Sequence, residues 1–164
     1  MKILKSKVML DESYKNILIS ESVQEYSKEE NLSKTERVVA VMNDVFQMKD
    51  MAEEYIYLIA LTSKCKPISF FEVCHGACNY SIVGAREIMI RALLCGAVNI
   101  ILVHNHPSGN PTPSSDDLNF TERIHNASKL IGINLLDHII IGRDGHISLN
   151  EWNSGIQDAG GRTE

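Results

Sequence analysis

The sequence has no long run of apolar residues, and this absence excludes a membrane-spanning helix. No stretch of the 164 residues approaches the roughly 20 apolar residues that a helix needs to cross a bilayer. No apolar segment of signal-peptide length follows the basic start from Met1 to Lys7. The sequence therefore predicts a cytoplasmic protein without a membrane partner.

Cysteine pairs are also missing. The 4 cysteines include no Cys-x-x-Cys pair, and without a secretory signal we expect them to be reduced. The group Cys74, His75 and Cys78 lacks the usual spacing of a zinc knuckle. The cysteines are therefore interpreted as small core residues.

Basic residues are sparse. The formal net charge is −5, and no Lys/Arg-rich run follows the first 7 residues. A protein that binds nucleic acid tightly normally presents a basic face to the phosphates. The sequence therefore predicts weak binding of nucleic acid or none.

What remains is the composition of a globular domain, with 44% hydrophobic and 23% charged residues. We divide the chain into an N-terminal arm over residues 1–32, a domain over 33–152 and a flexible tail over 153–164. Within the arm, the polar run 21–30 shows no strong periodicity. It is compatible with an extended arm or with a loose helix.

Hydrophobic periodicity predicts alternating helices and strands in the domain. A capping-box pattern of Ser33 and Glu36 starts the first helix. The second places Ile88, Met89, Ala92 and Leu93 on one face. The predicted helices cover about 34–47, 85–94 and 114–130. The predicted strands cover about 54–62, 68–74, 98–103, 135–141 and 146–149, the first two as an antiparallel hairpin.

A group of three side chains carries the predicted chemistry. His104 and His106 follow the near-continuous apolar run 98–103, which is typical of a strand buried on both faces. Alternate residues of a strand share a face, so both imidazoles can reach one ion while Asn105 points away. Asp117 lies in the first turn of the next helix. Two nitrogens and one oxygen leave a fourth position for water, as in a catalytic Zn²⁺ site.

The alternative is two surface histidines in a loop and an aspartate that stabilises a helix start. The spacing argues against it. His104-x-His106, seven intervening residues, Ser114, two more and Asp117 resemble the JAMM motif of the MPN+/JAB metalloproteins.

The longer string from His104 to Ser114, with Asp137 and His138 downstream, resembles the RadC-like bacterial branch of that family. The resemblance covers about residues 33–149. It implies an α/β fold, a mixed β-sheet flanked by helices on both sides, similar to cytidine deaminases. Members of this branch often carry an N-terminal helix-hairpin-helix region, which we do not expect in the 32 preceding residues.

The resemblance also implies a glutamate on an upstream strand. Glu72 matches that position, before the helix over 85–94. As a general base it would take a proton from the zinc-activated water and pass it to a leaving amine. Glu87, inside the helix, is the rival candidate, and an exposed strand acid is the other interpretation of Glu72.

Ser114 has two predicted roles. As a helix N-cap it would contribute ~1 kcal/mol, and the family implies that it also helps to hold an oxyanion. Spacing excludes Asp116 as a ligand. His138, within an apolar strand, is interpreted as a core histidine or a support of the site rather than a ligand.

These features predict a zinc-dependent hydrolase that acts on a peptide or protein. Two alternatives stay open: a DNA repair or recombination factor of the RadC type, and a zinc-stabilised binding module without turnover. The acidic charge counts against the first, and a base at Glu72 counts against the second. The sequence makes no prediction about the oligomeric state.

Overall fold

The structure, a computed structural model, describes residues 1–76 and 83–151. The strands are β1 (Lys2–Leu10), β2 (Asn16–Glu25), β3 (Glu54–Leu61), β4 (Pro67–Gly76), β5 (Asn99–Asn105), β6 (Asn134–Gly142) and β7 (Gly145–Ser148). The α-helices are α1 (Thr35–Phe46), α2 (Ala85–Leu94) and α3 (Ser115–Ile131), and a short 3-10 turn covers Met48–Asp50. No helix in the described ranges is long and apolar enough to span a membrane.

The strands form one mixed sheet in the order β2-β1-β4-β3-β5-β6-β7. Helix α1 covers one face, where Val41 and Met42 pack with Tyr57 of β3. Helices α2 and α3 cover the other face, where Ile88 and Phe120 join a second core. The predicted fold, a mixed sheet flanked by helices on both sides, is confirmed.

Strand β5 lies inside the sheet and positions the site. It pairs antiparallel with β3 and parallel with β6, and all of its residues are buried. Burial on both faces explains why its sequence is apolar at consecutive positions. The strand runs two residues beyond its predicted end at Val103, so His104 and Asn105 belong to the sheet itself.

The predicted N-terminal arm contains two strands of this sheet. β1 pairs antiparallel with β2 and parallel with β4, where Lys5 lies opposite Phe70. Of the two interpretations of the run 21–30, the extended one holds as far as Glu25. Periodicity was weak here because β2 is an edge strand whose side chains are mostly exposed.

Two local predictions about the helices are wrong. Helix α1 has Lys34 as its N-cap without a side-chain cap, and the Ser33 hydroxyl donates to Asn31 instead. Leu93, predicted on one face with Ile88, Met89 and Ala92, is 55% exposed, whereas those three residues are buried. By contrast, Ser114 is the N-cap of α3, as predicted.

The tail predicted over 153–164 lies outside the described residues.

Candidate metal centre

The three predicted ligands meet where β5 ends and α3 begins. His104 Nε2 lies 3.1 Å from His106 Nε2 and 3.1 Å from Asp117 Oδ1. His106 Nε2 lies 3.5 Å from Asp117 Oδ2. Across the described part of the chain, this is the group of acidic, histidine or cysteine side chains whose ligand atoms all lie within 4.8 Å of one another. The structure therefore brings together all three side chains that the sequence selected.

The loop between β5 and α3 is held against the end of β6. The backbone N–H of His106 donates to the carbonyl of Ile141 over 2.9 Å. A Cβ at Gly142 would lie 2.1 Å from the carbonyl oxygen of Gly109, so only glycine admits this approach. The carbonyl of Asn110 lies 2.8 Å from His106 Nδ1 and accepts its proton. Nε2 of His106 is thereby left available to bind a metal ion.

Asp117 is completely buried and doubly anchored. The backbone N–H and the hydroxyl of Ser114 donate to Oδ2 over 2.7 and 2.6 Å. Oδ1 is different, because His104 Nε2 lies nearby without hydrogen-bond alignment and Oδ1 has no hydrogen-bond partner in the described ranges. A buried carboxylate oxygen without a donor is costly unless a cation binds it. With two imidazole nitrogens beside it, this donor set fits Zn²⁺.

The electrostatics of the site agree with cation binding. Burial opposes ionisation of Asp117, but its contacts with His104, His106 and Ser114 outweigh burial and hold its pKa well below the usual range. The hydrogen bond with Asp117 raises the pKa of His106 above its ordinary value, against the effect of partial burial. The site therefore keeps a negative charge that attracts either a proton or a metal ion.

His138 lies behind the ligands rather than among them. Its Nε2 lies 2.8 Å from Nδ1 of His104, on the side of that ring turned away from Asp117. Its Nδ1 lies 2.6 Å from the hydroxyl of Thr121 in α3. Burial holds the pKa of His138 well below its ordinary value, which favours the uncharged ring. His138 therefore contacts a candidate ligand and lies outside the candidate ligand set.

The structure does not bring Glu72 to the metal ligands. Glu72 lies opposite Tyr57 in the sheet, on the face that α1 covers. His104 lies opposite Ile56, which belongs to the core on the other face. The carboxylate of Glu72 instead contacts Lys5 Nζ at 3.0 Å and His75 Nδ1 at 2.9 Å.

A β-bulge explains the misplacement. Ile56 pairs with Cys74, but the next residue, Tyr57, pairs with Glu72, so Val73 is an extra residue in β4. With regular pairing, Glu72 would share a face with Cys74 and therefore with His104. One inserted residue moves Glu72 to the opposite face of the sheet.

Glu54 is a further acidic residue near the cluster, and the sequence patterns did not single it out. Glu54 lies two residues before Ile56, the partner of His104, so by the alternation of strand residues it shares the face of Ile56. The Asn105 side chain fixes the backbone around it, donating to the Glu53 carbonyl and accepting from the Tyr55 N–H.

Its charge also reaches the site. Glu54 adds to the rise in the pKa of His106, behind the larger effect of Asp117. It is half-buried at the start of β3 and lies outside the three-ligand cluster. The rival candidate Glu87 pairs with Arg86 at 3.2 Å instead. Alternate residues of a strand share a face, so the sequence does place Glu54 on the same face as Ile56. Using this pattern to find Glu54 required knowing that β3 pairs with β5.

The fold and the cluster together define an α/β domain with a His-His-Asp site at the end of a central strand. Residues 32–155 match the family described as the RadC-like JAB domain, and the chain belongs to that family. The resemblance seen in the motif is thereby confirmed.

Three relatives show the extent of this similarity. The chain is 49% identical over 105 residues to a UPF0758 protein of Clostridium acetobutylicum, which covers 64% of this chain and 46% of that protein. It is 43% identical over 140 residues to a UPF0758 protein of Clostridium perfringens, covering 85% and 59%. It is 44% identical over 107 residues to one of Enterococcus faecalis, covering 65% and 46%. The chain spans about half the length of the curated relatives it matches.

Proposed function

We propose that the protein is a zinc-dependent hydrolase that cleaves an amide bond in a peptide or protein. One observation carries the proposal: two imidazole nitrogens lie close to a buried carboxylate group, one oxygen of which has no hydrogen-bond partner in the described ranges. His104, His106 and Asp117 would hold the ion. A bound Zn²⁺ would polarise a carbonyl and lower the pKa of water towards neutrality.

A hydrolase also needs a base that is not a ligand, and we assign this role to Glu54. The assignment is supported by its charge, which raises the pKa of His106, and by its position two residues before Ile56, the partner of His104. There it would accept a proton from the attacking water and deliver it to the leaving amine. Glu72, salt-bridged to Lys5 on the other face, is not available for this step.

Ser114 holds the ligand Asp117 in this arrangement. Its single hydroxyl proton is donated to Asp117 Oδ2, and its oxygen accepts from the Asp117 N–H. An oxyanion role would require the hydroxyl proton to turn away from Asp117. Capping and support of the ligand are therefore the functions that the geometry favours, and stabilisation of an oxyanion is a second role to be tested.

The two glutamates provide a matched test. Zinc-loaded wild type, Glu54→Gln and Glu72→Gln would be screened against peptide, isopeptide and nucleic-acid substrates, with zinc content measured in each preparation. We expect cleavage of a peptide or isopeptide by the wild type, a loss of ~10²–10⁴ in rate for Glu54→Gln, and near-normal rate for Glu72→Gln. Both variants should retain zinc, since neither residue is proposed as a ligand.

Four outcomes would contradict parts of the proposal. If Glu72→Gln loses the activity and Glu54→Gln keeps it, the assignment of the base is wrong. If Glu54→Gln loses zinc, Glu54 is a ligand or a structural support. A zinc-loaded wild type that cleaves none of the substrates would favour a binding module, and cleavage of nucleic acid alone would favour the DNA repair alternative.

A further inference from the structure

A continuous chain of hydrogen bonds joins two of the metal ligands through residues that are not ligands. It runs from His104 on β5 to His138 on β6, then to Thr121 and the backbone carbonyl of Asp117, both on α3. His104, His138 and Asp117 are each at most 1% exposed, so solvent does not compete for these contacts.

The direction of each hydrogen bond can be assigned by starting at the Asp117 end of the chain. Thr121 Oγ1 lies 2.6 Å from the carbonyl oxygen of Asp117, which can only accept, so the threonine proton is donated there. Thr121 Oγ1 also lies 2.6 Å from His138 Nδ1. Because the only proton of Thr121 Oγ1 is already donated to Asp117, this oxygen must accept from His138 Nδ1–H. With the Nδ1 proton of His138 directed at Thr121, Nε2 of His138 is left to accept from His104 Nδ1–H over 2.8 Å.

We propose that His138 and Thr121 are positioning residues that hold His104 in the Nδ1–H tautomer and so keep its Nε2 ready for the metal. The inference rests on the proposed function, because it concerns the same metal centre. Nε2 of His104 is the atom that lies 3.1 Å from both His106 Nε2 and Asp117 Oδ1.

The two histidine ligands are thus oriented differently. His106 donates to a backbone carbonyl, that of Asn110, as many metal-binding histidines do. His104 donates to a second imidazole, whose own orientation depends on a single hydroxyl group. The Phe120 ring packs against His138 at an interplanar angle of 70°, with the ring centroids 6.0 Å apart, but it offers no hydrogen bond. Thr121 supplies the hydrogen bond at Nδ1 of His138, so its hydroxyl is the group to remove in a test.

Thr121 offers a conservative pair of variants for the test. Thr121→Val keeps the shape and removes the hydroxyl, whereas Thr121→Ser keeps the hydroxyl. Zinc affinity would be measured by competition with a chelator, and nitrogen-15 NMR of the metal-free proteins would identify the tautomers of His104 and His138. Thermal unfolding of the metal-free proteins would separate lost affinity from lost stability.

We expect both histidines of the wild type to be Nδ1–H tautomers. Thr121→Val should weaken zinc binding ~10–100-fold and should populate both tautomers of His104 and His138. Thr121→Ser should keep the wild-type zinc affinity and the wild-type tautomers. Wild-type affinity and tautomers in Thr121→Val would overturn the inference, as would an Nε2–H tautomer of His104 in the wild type. If the wild type binds no zinc, the proposed function fails, and the tautomers of the metal-free protein still decide whether the chain has the inferred direction.

Discussion

The hydroxyl of Ser114 donates to Oδ2 of Asp117 over 2.6 Å and accepts from the Asp117 N–H over 3.2 Å. The backbone N–H of Ser114 reaches the same carboxylate oxygen over 2.7 Å, which completes a capping box. The residue that caps α3 and the residue that would bind the metal are therefore one reciprocal pair. Helix capping and ligand orientation depend on the same contacts.

Removing this hydroxyl should affect stability and metal binding together. We expect Ser114→Ala to lower the free energy of unfolding of the metal-free protein by about 1 kcal/mol, because the cap is lost. Zinc affinity should also fall, because Asp117 loses a donor that orients it. Thermal denaturation and chelator competition measure the two effects, and Ser114→Thr, which keeps the hydroxyl, is the control. Unchanged stability in Ser114→Ala would show that the backbone N–H alone suffices.

The neighbouring aspartates of α3 provide a direct test of the ligand set. Asp117 is buried at the site, whereas Asp116, in the same helical turn, is exposed. We expect about one zinc per chain in the wild type and in Asp116→Ala, and strong loss in Asp117→Ala, His104→Ala and His106→Ala. Elemental analysis of the purified proteins measures this. Full zinc content in Asp117→Ala would place the third ligand elsewhere.

Zinc binding should depend on pH in a defined direction. The hydrogen bond with Asp117 raises the pKa of His106, so this imidazole holds its proton to a higher pH than an ordinary histidine. Zinc must displace that proton, and the affinity should therefore fall about tenfold per pH unit below the pKa of His106. Calorimetry in buffers of different ionisation enthalpy would count the protons released. A constant affinity between about pH 5 and 8 would be incompatible with this competition.

Nucleic-acid binding is expected to be weak. The chain carries 16 Lys and Arg against 21 Asp and Glu, so few cations are available for phosphate contacts. Fluorescence anisotropy with a duplex should show low affinity that drops steeply as salt is raised. Affinity that stays high at ~200 mM salt would contradict the expectation and would strengthen the DNA repair alternative.

The candidate cluster and the helix cap that supports it could be predicted from the local sequence. His104, His106, Ser114 and Asp117 fall within one strand, loop and helix start, where spacing along the chain fixes which side chains meet. The helices and central strands were predictable for the same reason, because each hydrophobic face follows the period of its own element.

The acidic residue near the cluster and the contacts behind the cluster depend on how the strands pair in three dimensions. Val73 forms a bulge in β4 that turns Glu72 to the opposite face, and β3 pairs with β5 near the site, where the charge of Glu54 acts on His106. The contact of His104 with His138 likewise depends on β5 lying beside β6. Strand register and bulges are set by contacts between segments far apart in sequence, so no local pattern records them.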